Sequence, residues 1–224
     1  MPNTSALQIL QSTSLPDVVR DEIVQLIRNG RYAPGAKIGE EELADRLGVS
    51  RGPIREAFRS LEEAGLVKSS KNRGVFVREL TVDEARELYV VRGSLDELIG
   101  RLVAPRITEA QVAELRHMVD DMEISFAARD IDAYYPRDMA FHDRIAQFAD
   151  NAKLLDIYRR VVNEMYLVRL QSIQRAGGLL VSNHEHRSIV DALTSHDKEA
   201  AALVMGQHVM CAFQRVASLL TAPR

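Results

Sequence analysis

Hydrophobic periodicity predicts a mainly α-helical protein in two parts: an N-terminal part whose short helices end in a β-hairpin, and a longer C-terminal bundle of six helices. Three observations carry this. Apolar residues recur at three- and four-residue spacing through most of the 224 residues. The β-branched and aromatic run that a strand needs lies only before Leu80. Thr81, followed three residues later by Glu84, forms a capping box that marks where the second part begins.

Residues 1–14 are polar and weakly patterned, as expected of a frayed arm. Leu15 to Asn29 is an amphipathic helix with Val18, Val19, Ile23, Leu26 and Ile27 on its inner side, ended by Gly30. The turn Tyr32-Ala33-Pro34-Gly35 leads to two short helical patterns, EEELADRL and PIREAFRSLEEA, separated by Gly48-Val49-Ser50. That is the spacing of a helix-turn-helix. In the second helix Ile54, Ala57, Phe58, Leu61 and Ala64 mark one buried face, and Arg51, Arg55 and Arg59 lie on the other. Ser50 suits an N-cap, since its hydroxyl can satisfy an orphan first-turn amide, and Pro53 is tolerated where amides have no intrahelical partner. Arginines one turn apart on such a helix suit entry into a DNA major groove, and they equally suit a solvated face. The segment after this helix favours the groove. Leu66-Val67-Lys68, a polar turn over 69–74 and Val75-Phe76-Val77 make a hairpin whose tip is basic through Lys71 and Arg73. Residues 15–79 are therefore expected to form a winged helix-turn-helix.

From Thr81 onward strand signals vanish. Six helices are expected, over Thr81 to Ala104, Thr108 to Ala128, Ile131 to Ala149, Ala152 to Arg175, Ser182 to Thr194 and Asp197 to Leu220, with breaks at the intervening Pro, Gly, Asp, Asn and Ser residues. The second part thus covers residues 80–224, and so short a junction at Leu80-Thr81 implies mechanical coupling between the parts.

Composition sets outer bounds. No run approaches a membrane span and no basic-then-apolar leader opens the chain, so a cytoplasmic protein without a membrane partner is expected. The single Cys211 excludes an internal disulfide framework, and its apolar helical surroundings point to packing. Residues 1–78 carry 12 Lys+Arg against 10 Asp+Glu, whereas the remainder carries 17 against 22. An excess that small cannot argue nucleic-acid binding by bulk charge, so the placement of the arginines must.

Polar residues on the apolar faces of the second part suggest a site. Asp138 and His142 stand four apart on one helix, in line with Ile145 and Ala149. His186 leads Ile189, Val190 and Leu193, and His208 is in phase with Val204, Cys211 and Ala212. His117, His184 and His196 fall off such stripes. A lone inward histidine is most simply a hydrogen-bonded core residue. Three beside a buried aspartate would be costly without compensation, and one divalent cation held by three imidazoles and a carboxylate would remove that cost. Zinc, nickel or manganese suits such N/O ligation. Arg92 adjoins the stripe Leu88, Leu95, Ile99 and Leu102: either it pairs with Asp96 one turn on, or it faces a cavity and grips an anion. Asn163, Arg169 and Gln171 are further polar candidates without an assigned orientation.

The phrase LGVSRGPIREAFRSLEEAGLV, with NGRYAPGAKI before it and NRGVFVREL after it, resembles the DNA-binding domain of the GntR family of bacterial transcription regulators. The resemblance runs from Leu15 to Leu80. It implies that Ser50, Arg51, Arg55 and the wing glycine Gly74 touch operator DNA, with Arg73 beside them at the wing tip. Some members carry arginine where this chain has Glu41, and most carry threonine where it has Gly52, departures that bear on the operator sequence and not on the fold. The helical second part resembles the ligand-sensing FCD domain of the FadR branch, closest to the VanR-like subgroup in its six helices. Many such domains bind a metal through an aspartate, a histidine four later and two distant histidines, matching Asp138, His142, His186 and His208. In related regulators the arginine matching Arg92 often lines the pocket. The resemblance implies a homodimeric regulator, most often a repressor, that releases or binds double-stranded operator DNA in response to a small organic acid. The rival reading is a metal-dependent enzyme acting on a small carboxylate; no general base stands beside the proposed ligands, and catalysis leaves the N-terminal reader unexplained.

Overall fold

The computed structural model describes residues 14–166 and 178–221 of the chain. It divides into two compact units, the first ending at Glu79 and the second beginning at Leu80.

The first unit runs α1 (Leu15–Arg28), β1 (Lys37–Ile38), α2 (Glu40–Leu47), α3 (Arg51–Glu63), β2 (Val67–Ser70) and β3 (Gly74–Val77). Ser14 caps α1 by accepting from the Asp17 amide, so the last residue expected in the arm is already tied to the first helix. Val19, Ile23, Leu26 and Ile27 are buried as their spacing predicts, but Val18 is half exposed because it projects about 100° round the helix from Val19. Ile54, Ala57, Phe58 and Leu61 of α3 pack inward, leaving Arg51, Arg55 and Arg59 exposed. Gly48 ends α2 with φ 65, a left-handed conformation that lets the chain reverse within two residues into α3. The hairpin is part of a three-stranded antiparallel sheet, order β1-β3-β2, with Lys37 opposite Phe76 and Lys68 opposite Phe76 on the other side. Two residues of β1 are too few to show alternation, which is why periodicity misses that strand.

Among the described residues the second unit has six α-helices: α4 (Val82–Val103), α5 (Glu109–Ala127), α6 (Ile131–Phe148), α7 (Ala152–Glu164), α8 (Gly178–Thr194) and α9 (Lys198–Leu220), with a 3-10 turn at Ala104–Arg106. Thr81 and Glu84 make the expected capping box, and Thr108 with Gln111 makes a second. Three junctions reverse through left-handed residues, Arg129, Asp150 and His196, at the predicted breaks. α7 closes at Glu164 with Met165 as its cap; the rest of the expected helix beyond Tyr166, with Arg169 and Gln171, lies outside the described residues. α8 begins at Gly178 and not at Ser182, so Gly178 opens the helix it was expected to precede.

The core is apolar over most of its length, from Ile99 and Val103 through Leu115, Met122, Phe141 and Ile145 to Leu193 and Met205. α4 packs most extensively on α9. They come close at Gly100, where an added Cβ would stand 2.9 Å from the Ala202 amide nitrogen and 3.0 Å from the Ala201 carbonyl. Backbone cannot yield as a side chain can. Gly100→Ala is therefore expected to lower unfolding stability by about 1–3 kcal/mol in urea titration, outweighing the roughly 1 kcal/mol that alanine gains in helix propensity; an unchanged midpoint would show that the helices separate freely.

Candidate functional site

In the first unit, the exposed end of α3 and the β2–β3 turn carry the residues singled out for DNA. Ser50 holds the N-cap position, with φ -71 and ψ 165, but its side chain makes no capping bond. Pro53 contributes to this: it stands at the third helical position, one of the two whose amide an N-cap side chain can meet, and it has no N–H. The Ser50 hydroxyl is left for other partners. Arg51 Nη2 donates to Glu41 Oε1 at 2.5 Å and Arg55 Nε donates to Glu40 Oε1 at 2.9 Å, both across the turn between α2 and α3. In the hairpin Asn72 takes φ 61 and Gly74 φ 105, and Arg73 lies with its guanidinium 5.7 Å from the Phe76 ring centroid. The backbone at Gly74 is one that side chains rarely adopt, and a Cβ there would also displace the flexible end of Lys37. The face thus groups exposed cations with a hydroxyl and helix-terminal amides, the donors that phosphate oxygens and base edges take.

In the second unit, polar groups meet in the core. Asp138, His142, His186 and His208 are all at most 6% exposed. The three imidazoles offer ring nitrogens that all lie within 4.8 Å of one another, and the ring centroids stand 4.9–5.0 Å apart in a near-equilateral triangle. His208 Nε2 is 3.2 Å from His142 Nε2. Asp138 Oδ1 is 3.3 Å from His186 Nε2 and 3.8 Å from His142 Nε2. Neither nitrogen of His186 has a hydrogen bond, so its contact with Asp138 is close but misdirected, and His142 Nδ1 is likewise without one. Burial holds the His142 pKa well below its usual value against the opposing pull of Asp138, and burial brings His208 down to about 4 against that of Glu185. Neutral imidazoles with orphaned nitrogens and an adjacent carboxylate fit a divalent cation. The remaining histidines do not join them: His117 and His184 are exposed, and His196 Nδ1 contacts the Ala104 carbonyl at 2.9 Å.

Arg92 is buried, and of the two expectations for it the pair with Asp96 is the one formed. Its Nε donates to Asp96 Oδ2 at 3.3 Å, and the pair is only 3% and 2% exposed, so this is no surface bridge. Burial works against its charge, but Tyr158, Asp96, Tyr89 and Asp138 outweigh that and keep it firmly protonated. A cavity of about 300 Å³ lies between α6 and α7, lined by His142, Tyr158, Arg159 and Asn163 among others. Asn183, one turn before His186 on α8, is buried with no hydrogen bond to its Oδ1.

Two further residues escape sequence reasoning. Glu185 Oε2 is bonded to His208 Nδ1 at 2.8 Å, and Arg215 clamps the same carboxylate at 2.9 and 3.0 Å. Burial alone would raise the Glu185 pKa, yet the bonds from His208 and Arg215 hold it at about 2. The ionised carboxylate fixes a proton on His208 Nδ1 and turns its Nε2 lone pair toward His142, the outer support that metal-binding histidines usually have. Arg215 stands two helical turns after His208, the one signal in the sequence that the two share a face. Glu185→Ala would leave Arg215 and His208 Nδ1 without their acceptor, and an unfolding free energy lower by about 2 kcal/mol is expected; denaturation unchanged from the parent protein would show that these bonds add nothing.

Comparison with known proteins agrees with this division. Residues 15–77 match the bacterial regulatory proteins of the gntR family, and residues 87–210 match the FCD domain. The chain is 31% identical to the HTH-type transcriptional regulator YdhC of Bacillus subtilis, over 86% of this chain and 85% of that one. It is 28% identical to the HTH-type transcriptional repressor RspR of Escherichia coli, over 86% and 82% of the two chains. A solved GntR regulator from Rhodococcus sp. RHA1 superposes with a TM-score of 0.74 at 30% identity, covering 95% of this chain and all of that one. These matches are to transcriptional regulators and not to enzymes, which removes the metal-dependent enzyme as a rival. Among the described residues no helix is long and apolar enough to cross a membrane. The chain belongs to the GntR family of bacterial transcriptional regulators and carries an FCD domain behind its winged helix-turn-helix.

Proposed function

We propose that this regulator is a homodimeric, cytoplasmic repressor whose grip on operator DNA is set by a small organic acid bound beside a divalent metal ion in the helical unit. The observation that carries the reading is the buried convergence of His142, His186 and His208 with Asp138 and the cationic Arg92. A core of that chemistry has a place for a cation and, next to it, for an anion. In this reading residues 15–79 bind DNA and residues 80–224 sense the effector and dimerise.

Zinc, nickel or manganese, one ion per subunit, would be held by Asp138 Oδ1 and the three imidazoles, and would offer its remaining positions to an effector carboxylate. Arg92 lies within electrostatic reach of Asp138, His142 and His208, so it would draw the same carboxylate inward. The cavity beside His142 is of a size that suits a small acid. The unpaired Asn183 Oδ1 would accept a hydroxyl or ammonium from that acid. The apolar outer side of α4 and α9, where Val90, Val91, Leu98, Leu203 and Met210 are exposed, supports self-association. A symmetric dimer in turn places one reading helix and one wing on each half of a near-palindromic operator. At the DNA, Arg51 and Arg55 would meet bases and phosphates from the major groove, Ser50 would add its hydroxyl, and Arg73 and Gly74 would follow the wing along the backbone. The repressor RspR of Escherichia coli, to which the chain is similar, supports the sign of regulation.

Gel-shift titration against the promoter beside the gene tests the reading helix: Arg51→Ala and Arg55→Ala should each weaken specific binding about tenfold or more, and undiminished affinity would refute it. Elemental analysis of protein purified without chelator should find about one divalent ion per subunit, with Asp138→Ala and His186→Ala reducing it. Organic acids should raise the thermal midpoint only in protein that retains the ion; stabilisation that survives chelation would place the effector away from the metal.

A further inference from the structure

The bond between Arg51 and Glu41 has no role in metal binding, effector binding or self-association. Glu40 and Glu41 sit in the first turn of α2, where acidic residues commonly answer the helix dipole. The two differ in setting. Glu40 is 29% exposed and lies under Arg55, as a structural acceptor would. Glu41 is 75% exposed, stands on the same open side as Arg51, and reaches forward to it instead of folding back on its own helix. Its Oε1 takes the Arg51 bond at 2.5 Å, and among the described residues no other hydrogen bond is made by its Oε2. An exposed ion pair of this kind contributes little to stability. Meanwhile a carboxylate on a surface that meets phosphates repels every duplex alike. Such a group is useful only where it finds a donor.

We infer that Glu41 is a specificity-determining residue that reads DNA jointly with Arg51: Arg51 takes the O6/N7 edge of guanine, and Glu41 accepts the exocyclic amine of a cytosine in the neighbouring base pair. Major-groove chemistry selects cytosine. Guanine and thymine present acceptors at the corresponding edge, and adenine sets its N7 acceptor beside its amine, whereas cytosine shows a donor alone. The bond to Glu41 also fixes the plane of the Arg51 guanidinium, so the fork is oriented before DNA arrives. At any other base the carboxylate would lose water without gaining a partner, which turns a general repulsion into discrimination.

This inference rests on α3 being the reading helix, and the test separates the two. The full-length protein is used to enrich duplexes from a pool with a randomised core of about two helical turns. The parent protein should enrich half-sites in which a guanine adjoins a cytosine. Glu41→Gln keeps the shape and should retain the guanine, relax the cytosine preference about tenfold, and bind random duplex more tightly at every salt concentration. Glu41→Ala should do the same, which guards against glutamine finding a donor role of its own. Retention of an unchanged base preference by both variants, whatever happens to overall affinity, overturns the inference while leaving α3 as the reader. Enrichment of the parent site by Arg51→Ala would instead show that α3 does not read, and Glu41 with it.

Discussion

The second unit depends on how it handles polar groups that its own packing has removed from water. Asp138, His142, His186, His208, Arg92 and Asp96 sit in a region otherwise filled by Phe141, Ile145, Tyr158 and Ile189. Each such group left without a partner costs about 1–3 kcal/mol, comparable to the gain from burying one aliphatic side chain. The helices are arranged to limit that cost. α4 supplies the Arg92–Asp96 pair, α6 supplies Asp138 and His142, α8 supplies His186 and Glu185, and α9 supplies His208 and Arg215. Four helices therefore converge on one polar centre, and whatever occupies it acts on all four together. A tightly packed seam such as that at Gly100 leaves little room for α4 and α9 to respond independently.

The first unit works by the opposite logic. Its core is apolar, and its functional groups are on the outside, where each interaction is weak. Arg51 and Arg55 already have carboxylate partners in the free protein. Such partners orient the guanidinium groups without holding them fast, because exposed ion pairs are worth at most about 1 kcal/mol. The consequence is a reader whose arginines are ordered but not saturated. Ser50, which makes no capping bond with its side chain, adds to the set of uncommitted donors.

Legibility in the sequence depends on which interactions are local. Asp138 and His142 are four residues apart on one helix, and the phase of His186 and His208 with neighbouring Ile, Val and Leu places them inward, so a one-dimensional pattern is enough to predict that they are buried together. The capping box at Thr81 is legible for the same reason. Contacts between elements are not. Glu185 follows an exposed histidine and looks like part of a solvated face until α9 brings His208 and Arg215 to it. The Arg51–Glu41 bond spans ten residues and two helices, and β1 pairs with a strand almost forty residues later. Arg92 shows both sides of the limit: its spacing to Asp96 is readable, but the burial that changes the meaning of that pair is not. Ser50 shows that even a local inference needs its neighbours, since Pro53, which removes one of its two possible capping partners, stands only three places away.

The imidazoles also discriminate between protons and a cation as the means of satisfying the centre. A neutral imidazole has one N–H and one lone pair. The Glu185 carboxylate, held by Arg215, fixes the His208 proton on Nδ1 and leaves a lone pair on Nε2. His142 can meet that lone pair by placing its own proton on Nε2, which satisfies the 3.2 Å contact between them and uses the only proton it has. His142 Nδ1 is then a buried acceptor without a donor, and both nitrogens of His186 remain without hydrogen bonds. Adding protons does not help, because burial opposes charge on His142 and His208 and Arg92 lies nearby. A divalent ion would use the facing lone pairs together and would draw on the Asp138 charge as well. The histidine geometry is one that a divalent ion at its centre would satisfy.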